Sequence, residues 1–270
     1  METTITQQLS ERIENLQESA TIRMAKLSRE LKAQGKDIID LSLGEPDFDT
    51  PEHIKEAAKK AIDDNFSHYT PVAGYAELRK AIAGKLQRDN NLQYTAEQIV
   101  VSTGAKQSIA NVVMCLVNPG DEVLLPAPYW VSYAAITQLA EGVAVEMPTS
   151  IDTNFKITPQ QLEAAITPRT KMIIYSSPCN PTGTVYTQEE LAALAAVLER
   201  HPQVYILSDE IYEFINYSGK PHASIATFES IKDRVIVVNG FSKGYAMTGW
   251  RLGYIAAPLW IAKACDKMQG

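Results

Sequence analysis

Cysteine is scarce in this sequence: Cys115, Cys179 and Cys265 are the three in 270 residues, far apart and in no Cys-x-x-Cys spacing. That pattern argues against a disulfide framework and a thiolate zinc site, and reduced, mostly buried thiols are expected. Histidine is equally thin, with His53, His68, His201 and His222 scattered, so no metal motif forms. Long apolar runs are missing too. A stretch such as Val235 to Val238 is far too short to cross a bilayer, and no membrane partner is expected. Positive charge is in deficit: the formal net charge of -7 argues against a nucleic-acid partner, whose phosphates select clustered Lys and Arg. The first residues, Met1 to Ser10, lack the basic flank, apolar segment and small-residue cleavage site of a secretory leader, so a cytoplasmic protein is expected.

What is present is an ordinary folded composition, 45% hydrophobic and 21% charged, on a chain long enough for one large α/β domain or two smaller ones. Glu11 to Ala33 is polar, with helical spacing in its second half (Ile22, Ala25, Leu27, Leu31) and a stop at Gly35. Ile38 to Leu41 and a turn-rich stretch follow. Thr50 and Pro51 then predict a helix start, with Thr50 as N-cap and Pro51 in the first helical position. Beyond it, β-rich runs alternate with amphipathic helices: Ile99 to Ser102 before a helix from about Gly104, Glu122 to Leu125 before one near Val131, and Lys171 to Tyr175 before one from Gln188. Boxes at Thr95 and Gln98, Thr158 and Gln161, and Thr187 and Glu190 predict further helix starts. Such alternation predicts a doubly wound α/β sheet, and the runs Val204 to Leu207 and Val235 to Val238 are apolar throughout, as in strands covered on both faces.

Four loops after these strands carry candidate chemistry. Ser102-Thr103-Gly104-Ala105-Lys106 puts small residues at a helix N-terminus, where backbone N–H groups can meet a phosphate; a plain tight turn explains it equally. Asn180-Pro181-Thr182-Gly183 is a turn that can also aim an amide at a ligand. Asp209, in Ser208-Asp209-Glu210-Ile211-Tyr212, stands at the carboxyl end of a buried strand, where it either caps a turn or faces a cationic ligand such as a protonated pyridine nitrogen. Lys243, in Gly240-Phe241-Ser242-Lys243, is delivered by a buried strand into a loop of small residues and is a candidate to condense with an aldehyde.

Taken in order, Asn-Pro-Thr-Gly, Ser-Asp-Glu-Ile-Tyr and Gly-Phe-Ser-Lys with Arg251-Leu252-Gly253 resemble the fold-type I, class I aminotransferases dependent on pyridoxal phosphate. The likeness spans nearly the whole chain, taking in Gly44-Glu45-Pro46-Asp47-Phe48, Tyr69-Thr70-Pro71 with Gly74, and Pro128 to Tyr133, and is greatest to the bacterial aspartate and aspartate/prephenate branch. The resemblance implies a large domain at 48–270 with a mostly parallel sheet of about seven strands, and residues 1–47 as an arm and part of a small domain. It implies a Schiff base on Lys243, which also moves the substrate proton and, with a reference pKa of about 10.4, must be held neutral to act as a base.

By the same resemblance Asp209 keeps the pyridine nitrogen protonated, Tyr212 and Asn180 bond the ring oxygen, and Trp130 stacks on the ring. Gly104, Ala105, Lys106 and Arg251 hold the phosphate, which Tyr69 reaches from the neighbouring subunit of a homodimer. Gly44 and Asn180 flank the substrate carboxylate, beside Trp130, while Lys106, Ser19 and Thr21 receive a side-chain carboxylate. L-Aspartate and 2-oxoglutarate are the implied pair, with prephenate or another oxo acid as a further acceptor. The family continues past the position of Gly270 into the rest of the small domain and a substrate-clamping arginine, so a fragment or a short form is expected. A cofactor-binding relative without turnover, and another reaction such as β-elimination, are the alternatives.

Overall fold

The computed structural model describes residues 9–16 and 18–270. Most of the leader reading, on Met1 to Ser10, therefore lies outside the described residues. Strands β1 (Ile99–Ser102), β2 (Glu122–Ala127), β3 (Val143–Pro148), β4 (Thr170–Ser176), β5 (Tyr205–Asp209), β6 (Val235–Gly240) and β7 (Gly253–Ala256) form one sheet in the order β1-β7-β6-β5-β4-β2-β3. β7 alone runs against its neighbours β1 and β6; the other pairs are parallel.

Alternation along each strand sends side chains to two separate cores. Met172 and Ile174 of β4 join Leu207, Ile236 and Val238 beneath α5 (Ala105–Leu116), α6 (Ser132–Leu139) and α9 (Leu259–Gln269). Ile173 and Tyr175 of the same strand turn the other way, toward α4 (Ala76–Asn90), α7 (Pro159–Ala165) and α8 (Gln188–Glu199). Cover on both faces explains why the central strands are apolar without a break.

The N-terminal region holds α1 (Glu11–Glu14) and α2 (Ala20–Ala33), and α3 (Glu52–Asp63) precedes the sheet. Here the expected cap is off by one residue: Pro51 is the N-cap of α3, and the Thr50 hydroxyl donates instead to the carbonyl of Ala246 at 2.6 Å. The Thr95 box opens only a single 3-10 turn, Ala96–Gln98, because the chain enters β1 immediately afterward. The Thr158 and Thr187 boxes do start α7 and α8. All three cysteines are free, but only Cys265 is buried; Cys115 and Cys179 are half-buried, against expectation.

Candidate functional site

Because β1, β2, β4, β5 and β6 are parallel, their carboxyl ends share one edge of the sheet, and the loops that leave them meet there. Gly104 follows β1, Trp130 follows β2, Asn180 follows β4, Asp209 ends β5 and Lys243 follows β6, while Arg251 enters β7 at the same edge. Residues spread over nearly 150 positions of sequence are thereby collected by topology.

Lys243 Nζ donates to the carbonyl oxygen of Gly44 and stands 5.5 Å from the centre of the Tyr212 ring. Burial lowers its pKa below the ordinary lysine value, with Glu45 and Asp209 opposing. Asp209 shows the converse: burial pushes its carboxyl up to about 6, although the Tyr133 hydroxyl donates to Oδ2 at 2.7 Å and the Ile211 N–H to Oδ1 at 3.2 Å. The capping alternative for Asp209 is thus met by one oxygen. A lysine made easier to deprotonate beside a carboxyl made harder to ionise is a pairing of the kind found where proton transfer is carried out.

Tyr212 is half-buried, and burial followed by the Asp209 charge raises its phenol pKa, with a hydrogen bond to Asn180 working the other way. Its hydroxyl also lies beside Gly44, where a Cβ would come within 3.3 Å of it. A cleft of about 550 Å³ opens along Asn180 and Tyr212. Trp130 meets Tyr133 edge to face at 5.5 Å, and Lys106 Nζ lies 5.0 Å over the Trp130 ring. Burial, then the nearby Arg251, lowers the Lys106 pKa.

Gly104 is the N-cap of α5 with φ +85°, and the Arg251 guanidinium lies against it. A Cβ there would stand 2.9 Å from Arg251 Cζ, so guanidinium and helix N-terminus meet only because glycine has none. Gly253 matters in the same way: its Cβ would lie 2.6 Å from the carbonyl carbon of Gly104, which is backbone and cannot yield. The α5 N-terminus, Lys106 and Arg251 together make a cationic cradle.

Tyr69, whose implied role belongs to a neighbouring subunit, is fully exposed. Ser19, the N-cap of α2, and Thr21 in its first turn are half-buried, but among the described residues no hydrogen bond joins either to Lys106, Asn180 or Lys243. One participant escaped the sequence reading. Tyr133, in the first turn of α6, stands in the same Pro128 to Tyr133 run as Trp130, and its partner Asp209 lies far along the chain.

A model of the family described as aminotransferase class I and II matches residues 36–270. The aspartate/prephenate aminotransferase of Cereibacter sphaeroides is 50% identical over 262 residues, covering 97% of this chain and 66% of that protein. The aspartate aminotransferase of Bacillus subtilis is 45% identical over 261 residues, with 96% and 66% covered. Among solved structures, aspartate aminotransferase from Rhizobium meliloti superimposes with a TM-score of 0.94 at 43% identity, over 98% of this chain and 66% of that one. The Thermus thermophilus enzyme solved with maleate gives 0.94 at 43%, over 98% and 68%. The chain thus spans about 66% of the length of the curated relatives it matches. With its sheet order, its carboxyl-edge lysine and aspartate, and this breadth of similarity, the chain belongs to the class I and II aminotransferase family.

Proposed function

We propose that this chain is the cofactor-binding part of a pyridoxal-phosphate-dependent aminotransferase that moves the amino group between L-aspartate and 2-oxoglutarate, with prephenate as a further acceptor. The observation that carries this reading is the convergence of Lys243, Asp209 and Tyr212, with a depressed lysine and a raised carboxyl, opposite a cationic cradle at Gly104. The residues fit the group. The guanidinium that Gly104 admits against the α5 N-terminus suits a phosphate, and the buried Asp209 carboxyl suits a ring N–H cation that would bring its pKa back down.

Bound pyridoxal phosphate supplies an aldehyde for an amine to condense with and a pyridinium ring that withdraws electrons from the substrate Cα. Lys243 offers an Nζ that burial makes easier to deprotonate, as nucleophile and then as the base that accepts and returns a proton. Asp209 would hold the ring N–H, Tyr212 and Asn180 the ring oxygen, and Trp130 would pack on the ring. The backbone of Gly104 and Ala105, together with Lys106 and Arg251, would bind the phosphate, Arg251 through its paired N–H groups. Gly44 and Asn180 border the α-carboxylate, and Lys106 with Ser19 and Thr21 takes the second carboxylate of a dicarboxylic substrate. That the Thermus relative was solved with maleate, a dicarboxylate, supports this substrate class.

Residues 1–47 act as arm and part of a small domain, and 48–270 as the large domain, in this reading. The exposed Tyr69 is explained by a homodimer in which it serves the neighbouring site. No described helix is long and apolar enough to cross a membrane, and the cytoplasm is the proposed location.

Addition of pyridoxal phosphate to the purified chain, followed by borohydride reduction and peptide mapping, tests the reading. Label on Lys243 is expected, and label elsewhere or nowhere sinks it. L-Aspartate added before reduction should then remove the visible band. A band that persists would leave cofactor binding standing and refute transamination.

A further inference from the structure

On the face of the sheet away from Asp209, the turn after β5 carries a buried charged network that the site chemistry does not use. Glu210 is 1% exposed. Its Oε1 accepts hydrogen bonds from the hydroxyls of Ser208 at 2.9 Å and Ser224 at 2.6 Å, and its Oε2 lies 2.9 Å from His222 Nε2. One turn later Glu213 pairs with Lys85 and accepts from Asn90 Nδ2 at 3.0 Å. Ligand atoms of Glu210, Glu213 and His222 fall within 4.8 Å of one another, a spacing that suits a metal. Yet each carboxylate oxygen already has a donor or a cation, and Lys85 occupies the place a metal would take beside Glu213. Both carboxylates are satisfied from within the cluster, which marks it as a structural clamp.

What it clamps is the segment that presents Asp209 and Tyr212. Residues 209 and 212 face the site, while 210 and 213 reach back into the network. The Glu210 N–H bonds the Val238 carbonyl at 2.8 Å and the Glu213 N–H bonds the Glu210 carbonyl at 3.0 Å, so the backbone between them is fixed at both ends. Phe214 closes the segment against Gly244, next to Lys243, where a Cβ would come 3.2 Å from the ring carbon Cγ. We propose that Glu210 and His222 are positioning residues, a buried ion-pair clamp that holds Asp209 and Tyr212 in register with Lys243. The inference rests on the proposed cofactor site.

Apolar side chains of equal volume would fill the same space, but they would let the turn slide; directional bonds to a charged group fix it. Burial alone would lower the His222 pKa, and the adjoining Glu210 carboxylate overcomes that and raises it, which favours the charged pair. His222 Nδ1 is buried with no partner among the described residues, so Nε2 is the nitrogen through which the ring acts.

The test uses the 270-residue chain with pyridoxal phosphate as probe and compares the parent with Glu210→Gln, His222→Leu and His222→Gln. Cofactor dissociation constants are read by titration, and the visible spectrum is read at saturating cofactor well below the melting temperature. A purely structural role would change melting and leave the saturated spectrum as it was. Glu210→Gln, which sets an amide NH2 against His222 Nε2, and His222→Leu, which leaves Oε2 without its donor, are each expected to weaken binding on the order of tenfold, the cost of one lost buried charged hydrogen bond, and to change the saturated band. His222→Gln, whose amide still donates to Glu210, is expected to restore the parent spectrum. Should His222→Leu not fold, Glu210→Gln carries the comparison, since it keeps the shape and the acceptor atom. Parent-like affinity and spectrum in a folded Glu210→Gln overturn the clamp while leaving the cofactor site intact. Absence of label on Lys243 in the parent overturns both.

Discussion

The Tyr133 hydroxyl donates to Asp209 Oδ2 across 2.7 Å, joining α6 to the end of β5 through two buried side chains. It is one of two donors that let a carboxylate exist there at all. Tyr133→Phe should therefore cost about 2 kcal/mol when Asp209 is ionised, and about 1 kcal/mol when it is protonated. Urea denaturation of the cofactor-free protein at pH 8 and pH 5 measures the difference. Equal losses at both pH values would separate Tyr133 from the carboxylate charge.

Asp209 itself sets a pH slope. Its folded pKa of about 6 lies above the ordinary value of 3.8, so between these values the folded chain keeps a proton that the unfolded chain has released. Stability of the cofactor-free protein therefore falls as pH rises from about 4 to 6, by up to about 3 kcal/mol for this one group. Asp209→Asn should flatten that part of the profile and raise stability at pH 7. The same variant should lose most cofactor affinity, because the amide cannot neutralise a ring cation.

Lys243 is held in an environment that disfavours its charge, chiefly through burial. Below its lowered folded pKa the protein bears that cost in full, and the cost fades as pH rises toward the ordinary lysine range. Lys243→Met is expected to raise the unfolding midpoint of the cofactor-free chain at pH 7, by a margin that shrinks toward pH 10, while borohydride labelling is abolished. A lower midpoint at pH 7 would mean the Gly44 contact outweighs the burial cost.

The two glycines of the cradle should fail differently. Gly104→Ala places a side chain against the Arg251 guanidinium at φ +85°; the arginine can swing away, so loss of phosphate affinity should exceed the loss of about 1–2 kcal/mol in stability from the strained backbone. Gly253→Ala meets backbone at Gly104 and Ala105, which cannot move without displacing α5, and a loss of at least about 3 kcal/mol is expected. Thermal melting and inorganic phosphate titration, run side by side, distinguish the two. A Gly253→Ala protein as stable as the parent would contradict the packing described.

Much of this was legible beforehand because period and punctuation are local. The unbroken apolar runs at β5 and β6, and the Thr158 and Thr187 boxes, announce covered strands and helix starts through hydrogen bonds and burial that adjacent residues decide. The Thr50 cap fails for the complementary reason: its hydroxyl is claimed by the distant Ala246 carbonyl. The Thr95 box does form, but β1, paired with β7, begins directly after it and holds the helix to one turn. Tyr133 went unassigned because its partner lies 76 residues away.

The order of residue types along the chain by itself determined the family, the alternation of strands and helices, and which loops hold lysine, aspartate, asparagine and arginine. Only the tertiary structure decided that Lys243 loses and Asp209 gains protonation strength, that Arg251 rests on Gly104, and that Glu210 and His222 face away from the site. Those properties come from burial and from the direction a side chain takes off a twisted sheet, and both depend on neighbours that the chain brings together only when it folds.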